Sequence, residues 1–223
     1  MAQYARALVA KTMEDTGMIP VFYHEDIEVA WRVVQACYAG GVRAFEFTNR
    51  GDFAHEVFAE LVKRANKALP GLMIGAGTIL DAGTAALYMQ NGANFLVTPF
   101  FVEEVARTAN RRKVLWASGC ASLTEISRAE EFGAEIVKVF PGNILGPGFV
   151  RSAKGPMPWS KLMPTGGVEP TEASLKEWFG AGVVCVGIGS QLFPKEYSVQ
   201  GVYETITEKC ALCIETIKMI RKV

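Results

Sequence analysis

A chain of 223 residues, half of them apolar, can bury one good-sized core and is too large to need disulfide staples. Its 23 basic side chains balance 23 acidic ones, which argues against a general nucleic-acid or acidic-membrane surface and leaves room for a local anion site. The start, MAQYARALVAKTMEDTG, lacks the continuous apolar core of a signal peptide, and no run of about 18 uncharged apolar residues occurs, so a cytoplasmic protein without a membrane span is expected.

Taken in chain order, a first helix is expected before MIPVF, the first of eight short apolar runs. The others are AFEFT, LMIGAGT, NFLVTP, VLWAS, IVKVFP, KLMPTGG and VVCVGIGS. Between them lie amphipathic, helix-length segments, among them 27–39, 53–68, 84–91, 102–111 and 123–132. Strands alternating with helices on this scale imply a parallel sheet. A weak repeat, seen in AGGVRAFEF, NGANFLVTP, EFGAEIVKVF and GAGVVCVGIG, puts glycine at a helix end just before a buried strand. Eight such units favour an α/β fold of the closed (β/α)8 TIM-barrel type, with an additional N-terminal helix, forming a single domain over residues 1–223. The Gly- and Pro-rich stretch 142–159 is poor helix material and reads as a partly irregular loop over one barrel end. Residues 199–223 read as the closing helix.

Barrel chemistry sits at the C-terminal strand ends, and unusual polar residues collect there. Glu46 is expected to end the second strand, beside Thr48 and Arg50, Thr78 follows the third, and Thr98 and Pro99 close the fourth. Lys138 lies within the sixth strand; Thr165, Gly166 and Gly167 follow the seventh, and Gly187, Gly189 and Ser190 the eighth. An ammonium among Ile136, Val137, Val139 and Phe140 costs several kcal/mol unless it is paired or neutralised. Lys138 therefore neutralises a buried carboxylate such as Glu46, or snorkels past the rim, or is a nucleophile: burial disfavours the cation, and a neutral amine adds to a carbonyl to form a Schiff base. Glu46 in turn is either a counter-ion, of Lys138 or of Arg50, or an acid/base that moves protons at a carbon beside that carbonyl.

Other motifs are weaker. GAGTIL lacks the third glycine and the downstream acid of a dinucleotide fingerprint. Cys210 and Cys213 make a CxxC without a second pair or a nearby histidine, and His24 and His55 share no ligand spacing, so no metal and no cofactor are expected. The glycines of PTGG and GIGS offer backbone N–H groups to a phosphate or carboxylate.

Together FEFTNR, GAGT, VTPFF, VKVFPGN and PTGGV, in that order along nearly the whole chain, resemble the 2-keto-3-deoxy-6-phosphogluconate (KDPG) and 4-hydroxy-2-oxoglutarate (KHG) aldolase family. The resemblance implies a (β/α)8 barrel, a homotrimer, and metal-free Schiff-base cleavage of a 2-keto acid to pyruvate and an aldehyde. It matches Lys138 to the Schiff-base lysine and Glu46 to the acid/base. Arg50, Thr78 and Thr165 match residues around pyruvate and its carboxylate, Pro99 and Phe140 the apolar wall, and Gly166, Gly167, Gly187 and Ser190 the loops that receive a distal phosphate. The chain departs from the family pattern at Asn49, where leucine is common, at SGCAS (118–122), and in the loop 142–159, where Arg151 and Lys154 offer extra positive charge. Two rival readings stand beside it: a phosphate-binding isomerase or synthase that uses Lys138 only as a cation, and a ligand-binding barrel without turnover.

Overall fold

Met18–Phe22, Ala44–Thr48 and Met73–Gly77 are buried at every residue, which a strand achieves only when both faces of its sheet are covered. The computed structural model describes residues 2–222; positions 1 and 223, at the ends of the expected domain and closing helix, lie outside them. The three runs are β1, β2 and β3, followed by β4 (Phe95–Thr98), β5 (Leu115–Cys120), β6 (Val137–Val139), β7 (Leu162–Pro164) and β8 (Val186–Ile188). All pair in parallel in the order β7-β6-β5-β4-β3-β2-β1-β8. A bridge between Thr165 and Gly187, with Val184 N–H donating to the Leu162 carbonyl at 3.0 Å, joins the two ends into a barrel. The last three strands are shorter than their apolar runs, because β7 and β8 meet through these isolated bonds and not through a full ladder.

Helices follow the strands outside: α2 (Ile27–Ala39), α3 (Ala54–Ala68), α4 (Ala82–Gln90), α5 (Glu103–Arg112), α6 (Leu123–Glu131), α7 (Gly142–Lys154), α8 (Glu172–Gly180) and α9 (Val202–Ile220). The starts of α2, α4, α6 and α8 are set by side-chain caps where the chain leaves the barrel. Asp26 accepts from Glu28 N–H at 2.7 Å, Asp81 from Thr84 N–H at 2.7 Å, and Ser122 from Glu125 N–H at 3.3 Å. α9 packs on α2 and α8, which closes the helical ring.

The stretch 142–159 departs from expectation. Most of it is α7, a helix interrupted at Gly146, whose φ of 67° and ψ of 172° are non-helical. That break makes Pro147 the opening residue of a second helical piece, where a missing N–H and a fixed φ cost nothing.

Alternation along the strands separates two apolar layers. Ile19, Ala44, Met73, Phe95, Val97, Leu115, Ala117, Ile136, Met163 and Cys185 share a cluster with Val9, Ala10 and Met13 of α1 (Arg6–Thr16). A larger cluster lies between the sheet and its helices. α1 therefore stoppers the N-terminal end of the barrel. Several tethers here reach residues just before strands: Arg6 pairs with Glu135, the Asn94 side chain accepts from Gln3 and Tyr4 N–H at 3.0 and 3.2 Å, and the Tyr4 hydroxyl accepts from Gly71 N–H at 3.0 Å. No helix among the described residues is long and apolar enough to cross a membrane.

Met13 is fully buried at the stopper's centre, so Met13→Ala should lower stability by about 2–5 kcal/mol in a denaturant titration. Lys11→Ala, on the solvent side of the same helix, should shift it by no more than about 0.5 kcal/mol.

Candidate active site

Above the apolar layer, inward-facing positions change character. The next inward residue is Glu46 on β2 and Lys138 on β6; on β3, β5 and β8 it is Gly75, Gly119 and Gly187. Gly119 stands beside Lys138 in register, with Met163 on the other side. A Cβ at Gly75 would meet the Phe95 ring, at Gly119 the Pro99 main chain and at Gly187 the Thr165 side chain, so each glycine permits a close approach. The clearest case is Gly77, where a Cβ would run into the Glu46 carboxylate and lie 2.6 Å from its Cδ.

Lys138 Nζ lies 3.8 Å from Glu46 Oε1, with the two side chains 7% and 1% exposed. That separation is an ion pair but too long for a hydrogen bond. Neither Glu46 oxygen has a hydrogen-bond partner among the described residues, so the carboxylate is free to exchange protons with whatever enters. The Phe140 ring centroid is 5.0 Å from Lys138 Nζ and walls the amine on its apolar side. The structure thus selects among the expected partners: Glu46 pairs with Lys138, while Arg50 on the loop after β2 is exposed and is found in no ion pair among the described residues.

The rim is built from the strand ends. Thr165 bridges to Gly187, where a Cβ would strike the threonine hydroxyl; that buried hydroxyl also has no hydrogen-bond partner among the described residues. Thr78, directly after β3, has a φ of 59°, costly for a β-branched residue and typical of places where function dictates the backbone. Gly166 and Gly167, with φ of 85° and 74°, turn the chain over the start of α7, where Gly142 N–H donates to the Thr165 carbonyl at 2.9 Å. Pro99 and Ser190 lie directly after β4 and shortly after β8, half-buried and exposed.

Several sequence readings change here. Arg151 and Lys154 fall in the last turn of α7. Lys154 Nζ donates to the Pro158 and Ser160 carbonyls at 2.8 Å each, below the N-terminal end of β7, so neither residue supplies charge at the mouth. The glycines of GAGT lie inside β3, where a Cβ would meet the Phe95 ring at Gly75 and the Glu46 carboxylate at Gly77. SGCAS is accounted for residue by residue: Gly119 flanks Lys138, Ser122 caps α6, and Cys120 is a buried thiol pushed up to about 12 by desolvation. Cys210 and Cys213 are both buried in the face of α9 that packs on the core. The role of Gly77 was missed, although a glycine two residues from another inside a strand signals close approach.

A buried amine beside an unencumbered carboxylate, walled by a phenyl ring and open on one side, can attack a carbonyl and move the protons this requires. The family model described as KDPG and KHG aldolase matches residues 9–209. A 2-dehydro-3-deoxy-phosphogluconate aldolase of Treponema pallidum is 31% identical over 213 residues, covering 95% of this chain and 97% of its own. A KHG/KDPG aldolase of Escherichia coli is 28% identical over 213 residues, covering 94% and 97%. A KDPG aldolase structure from Legionella pneumophila, with pyruvate captured at low pH as a covalent carbinolamine intermediate, superimposes with a TM-score of 0.80 at 25% identity, covering 91% of this chain and 96% of that one.

Because Glu46 and Lys138 are each other's only ion-pair partner among the described residues, removing one leaves the other's charge buried without a counter-ion. Glu46→Gln and Lys138→Met should each be less stable than the double variant, which should equal or exceed the parent. Denaturant titrations of the four proteins close this cycle, and strict additivity would show that the two groups do not interact.

Proposed function

The chain belongs to the KDPG and KHG aldolase family, and from that premise we propose that it is a class I aldolase in which Lys138 is the Schiff-base lysine and Glu46 the acid/base. The observation that carries this is the Lys138 amine, 3.8 Å from Glu46 in an otherwise apolar layer of the barrel. The substrate is a 2-keto-3-deoxy sugar acid, KDPG or KHG, cleaved reversibly to pyruvate and glyceraldehyde 3-phosphate or glyoxylate. The substrates named for the relatives, and the pyruvate carbinolamine of the Legionella protein, support this choice.

Lys138 passes a proton to Glu46, the neutral amine so formed attacks the C2 carbonyl, and Glu46 returns the proton to the carbonyl oxygen and assists loss of water from the carbinolamine. The protonated imine then accepts the electron pair of the C3–C4 bond as the C4 hydroxyl is deprotonated, releasing the aldehyde. Protonation of the remaining enamine at C3 and hydrolysis of the imine return pyruvate and free Lys138. Arg50 holds the substrate carboxylate, and Thr78 and Thr165 line the same end. Pro99 and Phe140 form the apolar wall, and the main chain at Gly166, Gly167, Gly187 and Ser190 receives the distal group. No metal or cofactor enters these steps.

We further propose one barrel domain over residues 1–223, working as a cytoplasmic homotrimer. Exposed Phe53, Phe100 and Ile144, 69%, 53% and 75% accessible, supply apolar area that an assembly would cover.

Pyruvate with borohydride should add a reduced adduct to Lys138, located by peptide mass. Both Lys138→Ala and Lys138→Arg should lose the adduct and the cleavage activity; activity retained in Lys138→Arg would favour the cation-only isomerase or synthase. An adduct without turnover of any 2-keto-3-deoxy acid would point to the binding barrel.

Distal recognition gives a second test. Since Arg151 lies on the last turn of α7, Arg151→Ala should change the preference for phosphorylated over unphosphorylated substrate by less than about twofold, measured as a ratio of kcat/KM values.

A further inference from the structure

Where the chain leaves β2, the residues on either side of Arg50 are held with unusual care. Asn49 N–H donates to the Gly77 carbonyl at 2.9 Å, and Arg50 N–H to the Thr48 carbonyl at 3.0 Å. The Asn49 side chain is engaged as well: the hydroxyl of Tyr88, reaching over from α4, donates to Asn49 Oδ1 at 2.9 Å. On the far side of the arginine, Gly51 lies so close to Tyr23 that a Cβ there would run into the phenol oxygen and sit 2.6 Å from the ring carbon bearing it.

Both phenols are themselves fixed. Tyr88 is 1% exposed and packs edge-on against Phe58 at 4.9 Å between centroids; Phe58 meets Phe47 at 6.3 Å, and Phe47 meets Tyr23 at 5.6 Å. This chain of rings runs beneath the loop from α4 to the end of β1. Burial raises the Tyr88 hydroxyl well above its ordinary titration range, so it remains a donor. Arg50 itself is exposed and found in no ion pair among the described residues, so its direction is left to this main-chain support.

We infer that Asn49 and Tyr88 are positioning residues for Arg50: their hydrogen bond, with Tyr23 packed under Gly51, presets the loop that offers the guanidinium to the carboxylate of the 2-keto acid. The inference rests on the Schiff-base reading above and adds to it how the carboxylate is selected. A loop fixed before the substrate arrives avoids an ordering cost at binding, so its release should appear as weaker capture of the carboxylate and not as loss of imine chemistry.

The test is borohydride trapping on Lys138 across a concentration series of pyruvate and, separately, of methyl pyruvate, which keeps the ketone and lacks the charge. Tyr88→Phe deletes one oxygen from a buried ring and should fold as the parent does; Asn49→Leu removes the acceptor. Each should raise half-saturating pyruvate by about fivefold, the scale of one neutral hydrogen bond, while the adduct still forms at saturation and the methyl ester shifts by less than about twofold. The double variant should be no worse than the weaker single one, because both break the same bond. Arg50→Met should remove the preference for pyruvate over the ester. A Tyr88→Phe protein with the parent's pyruvate dependence, or one weakened equally for both probes, would overturn the inference. Failure of the parent itself to trap pyruvate would instead overturn the Schiff-base reading.

Discussion

The molecule is organised around an ammonium and a carboxylate 3.8 Å apart inside a barrel that is otherwise apolar at their level. Coulomb attraction at that distance is substantial in a medium of low polarity, but so is the cost of removing both groups from water. Such a pair persists only where the surrounding packing is stable enough to carry it. The layer below supplies that packing: Phe95, Met73, Leu115 and Ile136 fill the lower barrel, and α1 stoppers its N-terminal end. Gly77 then leaves the volume that the Glu46 carboxylate occupies, and Gly119 stands beside Lys138 in register.

Much of this is visible in the linear sequence for identifiable reasons. Strands buried on both faces read as unbroken apolar runs, and glycine at helix ends punctuates them, so the eightfold alternation shows without any knowledge of register. Lys138 is conspicuous because nothing polar surrounds it in its own strand, and Glu46 is for the same reason. What the sequence conceals depends on distant neighbours. That Glu46 faces Lys138 and not Arg50 follows from strand register; that Gly77 backs the carboxylate requires knowing which face of β3 points inward. Tyr88 reads as an ordinary core aromatic of a helix, since only tertiary contact reveals where its hydroxyl goes. The stretch 142–159 misleads because Gly and Pro are counted as helix breakers, whereas here one break at Gly146 lets Pro147 begin a new helical piece.

Strain and unmet hydrogen-bonding capacity gather at the same end of the barrel as the charges. Thr78 holds a left-handed backbone, and Glu46 and Thr165 present buried oxygens without partners among the described residues. Orphan groups alone would not locate the site, because Trp116 Nε1 and Ser160 Oγ share that state elsewhere. Their coincidence with a buried ion pair and a strained strand end does, since each lowers stability and only a common use explains all of them in one place.

Charge placement bears on how the far end of a substrate is held. Lys154 ties down the approach to β7 and Arg151 shares its helical turn, so the basic residues of this region lie away from the mouth. What faces the mouth between β7 and α7 is main chain in two closely fitted layers. A Cβ on Gly142 would strike the Gly166 carbonyl, and one on Gly167 would lie 2.7 Å from Asn143 Cα, so neither layer tolerates a bulkier residue or much independent movement. On the proposed reading, a distal anion held there would be met by main chain whose course is fixed by the fold. Recognition of that kind discriminates by geometry more than by net charge, and is screened less by salt than a pair of exposed basic side chains would be.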